Sequence, residues 1–334
     1  MRLKQFQQKW IPVLRSELRH IAAIALLSSA LPVGAEDFRL SLPLDCEIGR
    51  TCFIEDYVDQ DPAQGAQRDF ACGINSRDGH RGTDFALLSF EAMDMGVDVR
   101  AAAPGTVLRI RDGMPDDRLM RGVTSDNACG NAVMVDHGDG WQVLYCHLKQ
   151  GSVSVQPGDE VARGDAIGQV GLSGQTNHPH VHITVLRDGA LVDPFQPGAQ
   201  DTCGAPGETL FIDPPAYTPT GLVTAGFADR VPTLDEVRSG AARLERGRRD
   251  APLVVYGYAG HAKHGDLLTL SASGPQGNVF EQKIVLKAPQ IATMRAFGKK
   301  APKGGWPTGE YLGEAMLTRQ GKVIAHRFAH VGIE

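Results

Sequence analysis

His178-Pro-His180-Val-His182-Ile-Thr-Val185 puts an imidazole at every second position of a segment that reads as a β-strand. Alternate residues of a strand point to one face. His180 and His182 are therefore expected side by side, roughly 7 Å apart at their Cα atoms, facing one space. On its own the pattern would also suit a polar, solvated sheet edge. A second cluster a hundred residues earlier changes the balance.

That cluster is Gly79-His80-Arg-Gly-Thr-Asp84-Phe85-Ala86, and a further histidine, His147, stands in Leu144-Tyr-Cys-His-Leu148. The set is four imidazoles and one carboxylate. Zinc is held by neutral imidazole nitrogens and carboxylate oxygens, and a catalytic zinc keeps three protein ligands with one position open. Two His and one Asp meet that count and leave two imidazoles for proton transfer and oxyanion stabilisation.

In order and spacing, His80-x-x-x-Asp84, Tyr145-x-His147 and His180-x-His182 resemble the lysostaphin-type (LytM-like) zinc endopeptidases that cut peptidoglycan. Gly82, Val135-Asp-His-Gly138, the Gly158–Gly174 region and Val192-Asp-Pro194 extend the likeness over residues 70–196. The resemblance implies one Zn2+ per chain on His80, Asp84 and His182. His147 and His180 would flank a metal-bound water as catalytic residues, their separate roles open. It also makes Asn131 a substrate-binding candidate and peptidoglycan stem or cross-bridge peptides the substrate. Two positions depart from the pattern. Thr184 stands where the family commonly has an acidic residue, and His178 stands where it has a small one. His178 is expected on a loop surface.

The chain has 334 residues, 42% hydrophobic and 22% charged, with 39 Gly and 20 Pro. That suits a mainly β protein of short strands and many turns, and two domains rather than one. Residues 1–35 read as a signal peptide: Arg2, Lys4, Lys9, Arg15 and Arg19 precede the apolar run Ile21–Leu31 and the small-residue end Val33-Gly34-Ala35. Its removal leaves 29 Lys+Arg against 38 Asp+Glu, a formal charge of −9, which argues against nucleic acid as partner. No further apolar run of spanning length follows, so no stable membrane span is expected after cleavage. Export to the periplasm or the extracellular space fits the six cysteines, an even count that suggests three disulfides. Cys46 and Cys52 are close in sequence; Cys129 and Cys146 flank a hairpin with Gly138 and Gly140 in its turn. The remaining pair is Cys72 with Cys203.

Residues 36–208 are expected to form an antiparallel β-sheet LytM-like domain, with a polar surface loop at 111–128. Gln156–Gly168 reads as two tight turns around a short strand. Prolines 214, 215 and 219 suggest a linker. Residues 209–334 are expected to form a small β-sandwich, with strands at Pro252–Tyr258, Asp266–Ala272, Asn278–Leu286, Gly309–Arg319 and Lys322–His330. A short helix is expected within Thr233–Arg249 from Val237, Ala241 and Leu244. This domain offers a possible surface for an envelope protein partner. His261, His264, His326 and His330 lack a supporting carboxylate pattern and are expected to be solvated.

The leading expectation is a secreted zinc endopeptidase of peptidoglycan. The alternative is a catalytically weak LytM-like module that binds the wall and activates another hydrolase; no metal or catalytic residue is missing, which favours the first. A biotinyl- or lipoyl-type module, suggested by Pro157-Gly-Asp-x-Val-x-x-Gly164, would need a lysine at a hairpin tip, and none lies between 151 and 186.

Overall fold

Asp139-Gly140 makes the central hairpin. Both residues have positive φ, 49° and 79°, the backbone of a two-residue turn whose twist matches that of the strands it joins. Gly140 also has no room for a Cβ, which would lie 2.1 Å from the Asp188 carboxylate. The computed structural model describes residues 37–198, 203–204 and 207–334. The signal peptide expected at 1–35 lies outside them.

The first elements in chain order are β1 (Cys52–Ile54), β2 (Thr83–Leu87), α1 (Phe90–Met95), β3 (Asp98–Arg100), β4 (Gly105–Arg111), β5 (Asn131–Gly138), β6 (Trp141–Leu148), β7 (Glu160–Val161), β8 (Ala166–Gln169), β9 (His180–Arg187) and β10 (Ala190–Val192). Eight strands form one antiparallel sheet in the order β1-β2-β9-β6-β5-β4-β7, with β10 added to β9. The register sets Asp84 opposite His182 and Cys146 opposite His182 on the other side. Three stretches far apart in sequence thus meet on neighbouring strands. Beneath them lies an apolar cluster that includes Phe85, Val133, Tyr145, Leu148, Val181, Ile183 and Phe211. The turns around β7 are as expected, with Gly158 and Gly164 at φ 94° and 89°.

The second group of elements is β11 (Gly221–Ala228), α2 (Leu234–Arg238), β12 (Arg246–Gly247), β13 (Leu253–Ala262), β14 (Leu267–Gly274), β15 (Gly277–Val285), β16 (Gln290–Lys299), β17 (Gly309–Arg319) and β18 (Lys322–Ile333). A three-stranded sheet, β11-β13-β16, and a five-stranded sheet, β12-β18-β17-β14-β15, share a second apolar cluster. Phe227 and Val255 come to it from one sheet, and Leu270, Tyr311 and Leu317 from the other. The protein is mainly β, with two such arrangements inside the compact unit Phe38–Glu334.

β11 and β16 have no counterpart among the expected strands, and α2 is shorter than the spacing of Val237, Ala241 and Leu244 implies. Thr233 caps α2 through a capping box with Glu236, but Gly240 at φ 78° ends the helical path, so Ala241 and Leu244 lie outside it. Among the described residues no helix is long and apolar enough to cross a membrane. All three cysteine pairs, Cys46–Cys52, Cys72–Cys203 and Cys129–Cys146, are bonded.

Candidate metal centre

Gly79 bends the chain at φ 71° and delivers His80 to the mouth of β2. Two residues on, Gly82 lets strand β9 come close: a Cβ there would lie 2.5 Å from His182 Nε2 and 2.4 Å from Ile183 O. This is the physical reason for glycine between His80 and Asp84. The ligand atoms of His80, Asp84 and His182 all lie within 4.8 Å of one another. It is the only such group of three or more potential ligands among the described residues.

The individual distances are short. His80 Nε2 is 3.1 Å from Asp84 Oδ2, His182 Nδ1 is 2.7 Å from Asp84 Oδ1, and the two imidazole nitrogens are 3.1 Å apart. Ligands about 2.0–2.2 Å from a tetrahedral zinc would stand about 3.3–3.6 Å from one another, so a small spread suffices. The outer nitrogens are also engaged. His80 Nδ1 donates to Tyr57 O at 2.7 Å, and His182 Nε2 donates to Thr184 Oγ1 at 2.9 Å. With the outer nitrogens carrying those protons, loss of the protons that His80 Nε2 and His182 Nδ1 turn toward the Asp84 carboxylate would leave both nitrogens to one metal ion. Thr184 thus occupies, with a hydroxyl, the outer position where an acidic residue was expected.

His147 and His180 complete the ring of imidazoles, with centroids 4.7 Å apart. His147 Nδ1 donates to Ser173 O at 2.8 Å, and His180 Nδ1 donates to His178 O at 2.9 Å. His180 Nε2 is buried without a hydrogen-bond partner and lies 3.6 Å from Asp84 Oδ1. A buried polar atom in that state needs a ligand, ion or water. The donor set, the spacing and this orphaned nitrogen fit zinc. His147 has φ 64°, a left-handed conformation that costs energy for a side-chain-bearing residue. It sits next to the Cys129–Cys146 disulfide, and its N–H donates to Cys129 O at 2.8 Å, so the bend is held on both sides.

The electrostatics follow from burial and the charges around Asp84. Burial works against the Asp84 carboxylate, but His80, His180, Arg77 and His182 outweigh it and hold the group well below the usual carboxylate range. Burial also opposes a charge on His80, yet Asp84 beside it raises the imidazole above its ordinary value. His147 is held well below, first by burial and then by His180 and His182. His182 is lowered by burial, which Asp84 only partly offsets.

Other expected residues fall elsewhere. Asn131 is fully buried. Its amide accepts from Met114 N at 2.8 Å and donates to Met114 O and Leu148 O at 2.8 and 3.1 Å, fastening the 111–128 loop. His178 is 1% exposed, not on a surface. Its Nε2 donates to Leu87 O at 2.6 Å and its ring stacks on Phe328 at 3.5 Å. His326 is buried too, at 2%, and His330 Nε2 donates to Asn177 O at 3.0 Å; both were expected in solvent. The apolar surfaces of Phe53, Phe90 and Phe328 draw these rings in. His261 and His264 are exposed as expected.

One neighbour of the site carried no signal in the sequence. Arg77 Nη2 donates to Asp84 Oδ2, and Arg77 Nε lies 2.7 Å from Asp56 Oδ2. An arginine three residues before His80 matches no motif, and Asp56 belongs to a separate stretch.

Comparison with known proteins agrees with this geometry. The pattern of Peptidase family M23 matches residues 78–194. The peptidoglycan DD-endopeptidase ShyA of Vibrio cholerae is 30% identical over 114 residues, which is 34% of this chain and 22% of that protein. The DD-carboxypeptidase/endopeptidase Mpg of Neisseria meningitidis is 33% identical over 116 residues, again 34% of this chain and 22% of that one. The cell division protein DipM of Caulobacter vibrioides is 30% identical over 102 residues, 30% of this chain and 16% of its own length. The matched region therefore spans less than a quarter of each relative. The catalytic domain of lysostaphin from Staphylococcus simulans is 24% identical, covering 35% of this chain and 76% of that domain at a TM-score of 0.27. All five side chains of the site, His80, Asp84, His147, His180 and His182, lie within residues 78–194, the stretch that matches Peptidase family M23.

Proposed function

We propose that this chain is an exported, zinc-dependent endopeptidase that hydrolyses peptide bonds of peptidoglycan. The observation that carries the reading is the convergence of His80, Asp84 and His182 on one point, with His147 and His180 beside them and each anchored through Nδ1. The names of the matched relatives support peptidoglycan as substrate class. Three disulfides and the composition of residues 1–35 support export.

A zinc ion held by these three residues supplies Lewis acidity and brings the pKa of a water molecule down to about 7. The residues of the chain handle the protons. His147 and His180 each commit Nδ1–H to a backbone carbonyl, so proton exchange is confined to Nε2. Buried and near two other imidazoles, His147 stays neutral and accepts the proton of the nucleophilic water. His180 Nε2, 3.6 Å from Asp84 Oδ1, is the other exchange position and serves as the donor to the oxyanion of the peptide carbonyl. Asn131 acts at a distance, by holding the loop that borders the site.

The test is digestion of defined muropeptides followed by mass analysis, with metal content measured in parallel. The wild-type chain is expected to carry about one zinc, to cleave a peptide bond and to stop when chelated; His182→Ala is expected to lose both metal and cleavage. Metal-free protein that still cleaves would sink the mechanism. Zinc-loaded protein that binds the wall without cleaving would favour the activator of another hydrolase.

A further inference from the structure

The carboxylate of Asp84 is supported by a chain of alternating charges that ends in the second β arrangement. Arg77 contacts Asp84 Oδ2 with Nη2 and pairs through Nε with Asp56 Oδ2 at 2.7 Å. Asp56 is fully buried, and its Oδ1 accepts from Arg327 Nη2 at 2.6 Å. Arg327 Nη1 also pairs with Glu55 Oε1 at 2.8 Å. The order is Asp84, Arg77, Asp56, Arg327, Glu55, with opposite signs adjacent throughout. Arg327 comes from β18, and Asp56 lies 271 residues before it.

Two details separate this chain from a salt bridge that merely glues surfaces. The Arg77 side chain is 52% exposed, so packing alone does not fix its direction; its two carboxylate partners do. Asp56 and Asp84 are also joined through the main chain, since Asp84 N donates to Asp56 O and Glu55 N donates to Asp84 O, both at 2.9 Å. A guanidinium that grips Glu55 and Asp56 therefore fixes the segment lying alongside the ligand as well as the arginine touching it. The next residue, Phe328, stacks on His178 at 3.5 Å, and His178 O accepts from His180 Nδ1. Adjacent residues of β18 thus reach toward a ligand and toward a free imidazole.

We propose that Arg327 is a positioning residue for Asp84, acting through Asp56 and Arg77, so that the C-terminal sandwich is built into the metal site. This rests on the zinc reading above. Groups that orient ligands from outside typically change metal affinity by about 10–100-fold when removed.

The test uses the full chain and a balanced double variant, Glu55→Gln with Arg327→Met, which removes one charge of each sign and leaves Asp56 paired with Arg77. Zinc affinity is read by competition with a chromophoric chelator, and ligand geometry by the visible spectrum of the cobalt-substituted protein. Arg118→Met is the control. It cuts another pair between the two regions, Arg118 with Glu310, that does not lead to Asp84. The double variant is expected to unfold cooperatively, to bind zinc about tenfold more weakly and to show shifted cobalt bands, while the control matches wild type. A folded double variant with wild-type affinity and spectrum overturns the proposal. If the double variant does not fold, Arg327→Lys decides: a few-fold weaker zinc binding supports the proposal and unchanged binding overturns it. A wild-type chain that takes up no zinc overturns the reading of the site, and this proposal with it; wild-type uptake with an indifferent Arg327 overturns this proposal alone.

Discussion

The histidines of β6 and β9 and those between β18 and the 173–179 segment are equally buried but differently employed. In the first group each ring has one nitrogen tied to a carbonyl or hydroxyl, and the other turned toward a shared space. In the second, His178 lies flat on Phe328, and neither ring nitrogen of His326 has a hydrogen-bond partner among the described residues. The geometry of the first group is the one our proposal assigns to proton and metal chemistry; the second is aromatic packing. Burial does not separate them, and neither does the commitment of one nitrogen, which His178 and His330 share; the convergence of the remaining nitrogens on one point does.

The sharpest way to break this comparison is to delete an imidazole from each group. His147→Ala and His180→Ala are expected to lower the turnover of a peptide substrate by about 10²–10⁴-fold while zinc content stays near one per chain. If either variant keeps wild-type turnover, that residue leaves the first group. The second group should answer in stability instead. Phe328→Ala, which empties the face against His178, is expected to cost about 3–5 kcal/mol in denaturant unfolding. An effect within error there would mean that the stack carries no packing energy.

The smallest effect belongs to His326→Leu, since a ring whose nitrogens have no partners is replaced by an apolar group. Stability at pH 7.5 is expected to change by less than about 1 kcal/mol. Acid sharpens the contrast. Burial holds His147, His178 and His326 well below the ordinary imidazole value. The unfolded chain therefore binds more protons than the folded one as pH falls through about 6.5, and stability declines below that point. His326→Leu removes one of these groups and should flatten the decline by up to about 1.4 kcal/mol per pH unit. Parallel acid curves for variant and wild type would show that His326 charges freely in the fold.

These two groups also mark how far the sequence could be read. His80, Asp84, His147, His180 and His182 were legible because their chemistry is local in type and ordered along the chain, and strand parity joined His180 to His182. The hairpin was legible because its glycines stand between two apolar runs. His178 was misjudged because its surroundings, Phe53, Phe90 and Phe328, come from three separate stretches. The same holds for Arg77, Asp56 and Arg327: nothing in a run of residues announces a partner 271 positions away. Strands β11 and β16 were missed for another reason. Glycine, alanine and threonine dilute their apolar alternation, and only the facing sheet makes them strands.

Arg327 also bears on the timing of folding. Loop-closure cost grows only slowly with separation, but contacts of such long range slow folding. His80, Asp84 and His182 can be brought together once β2 and β9 pair, but the far end of the charge chain closes only after β18 has been synthesised and docked. A chain halted or cut before that strand would hold the three candidate ligands without the anchor behind Asp84.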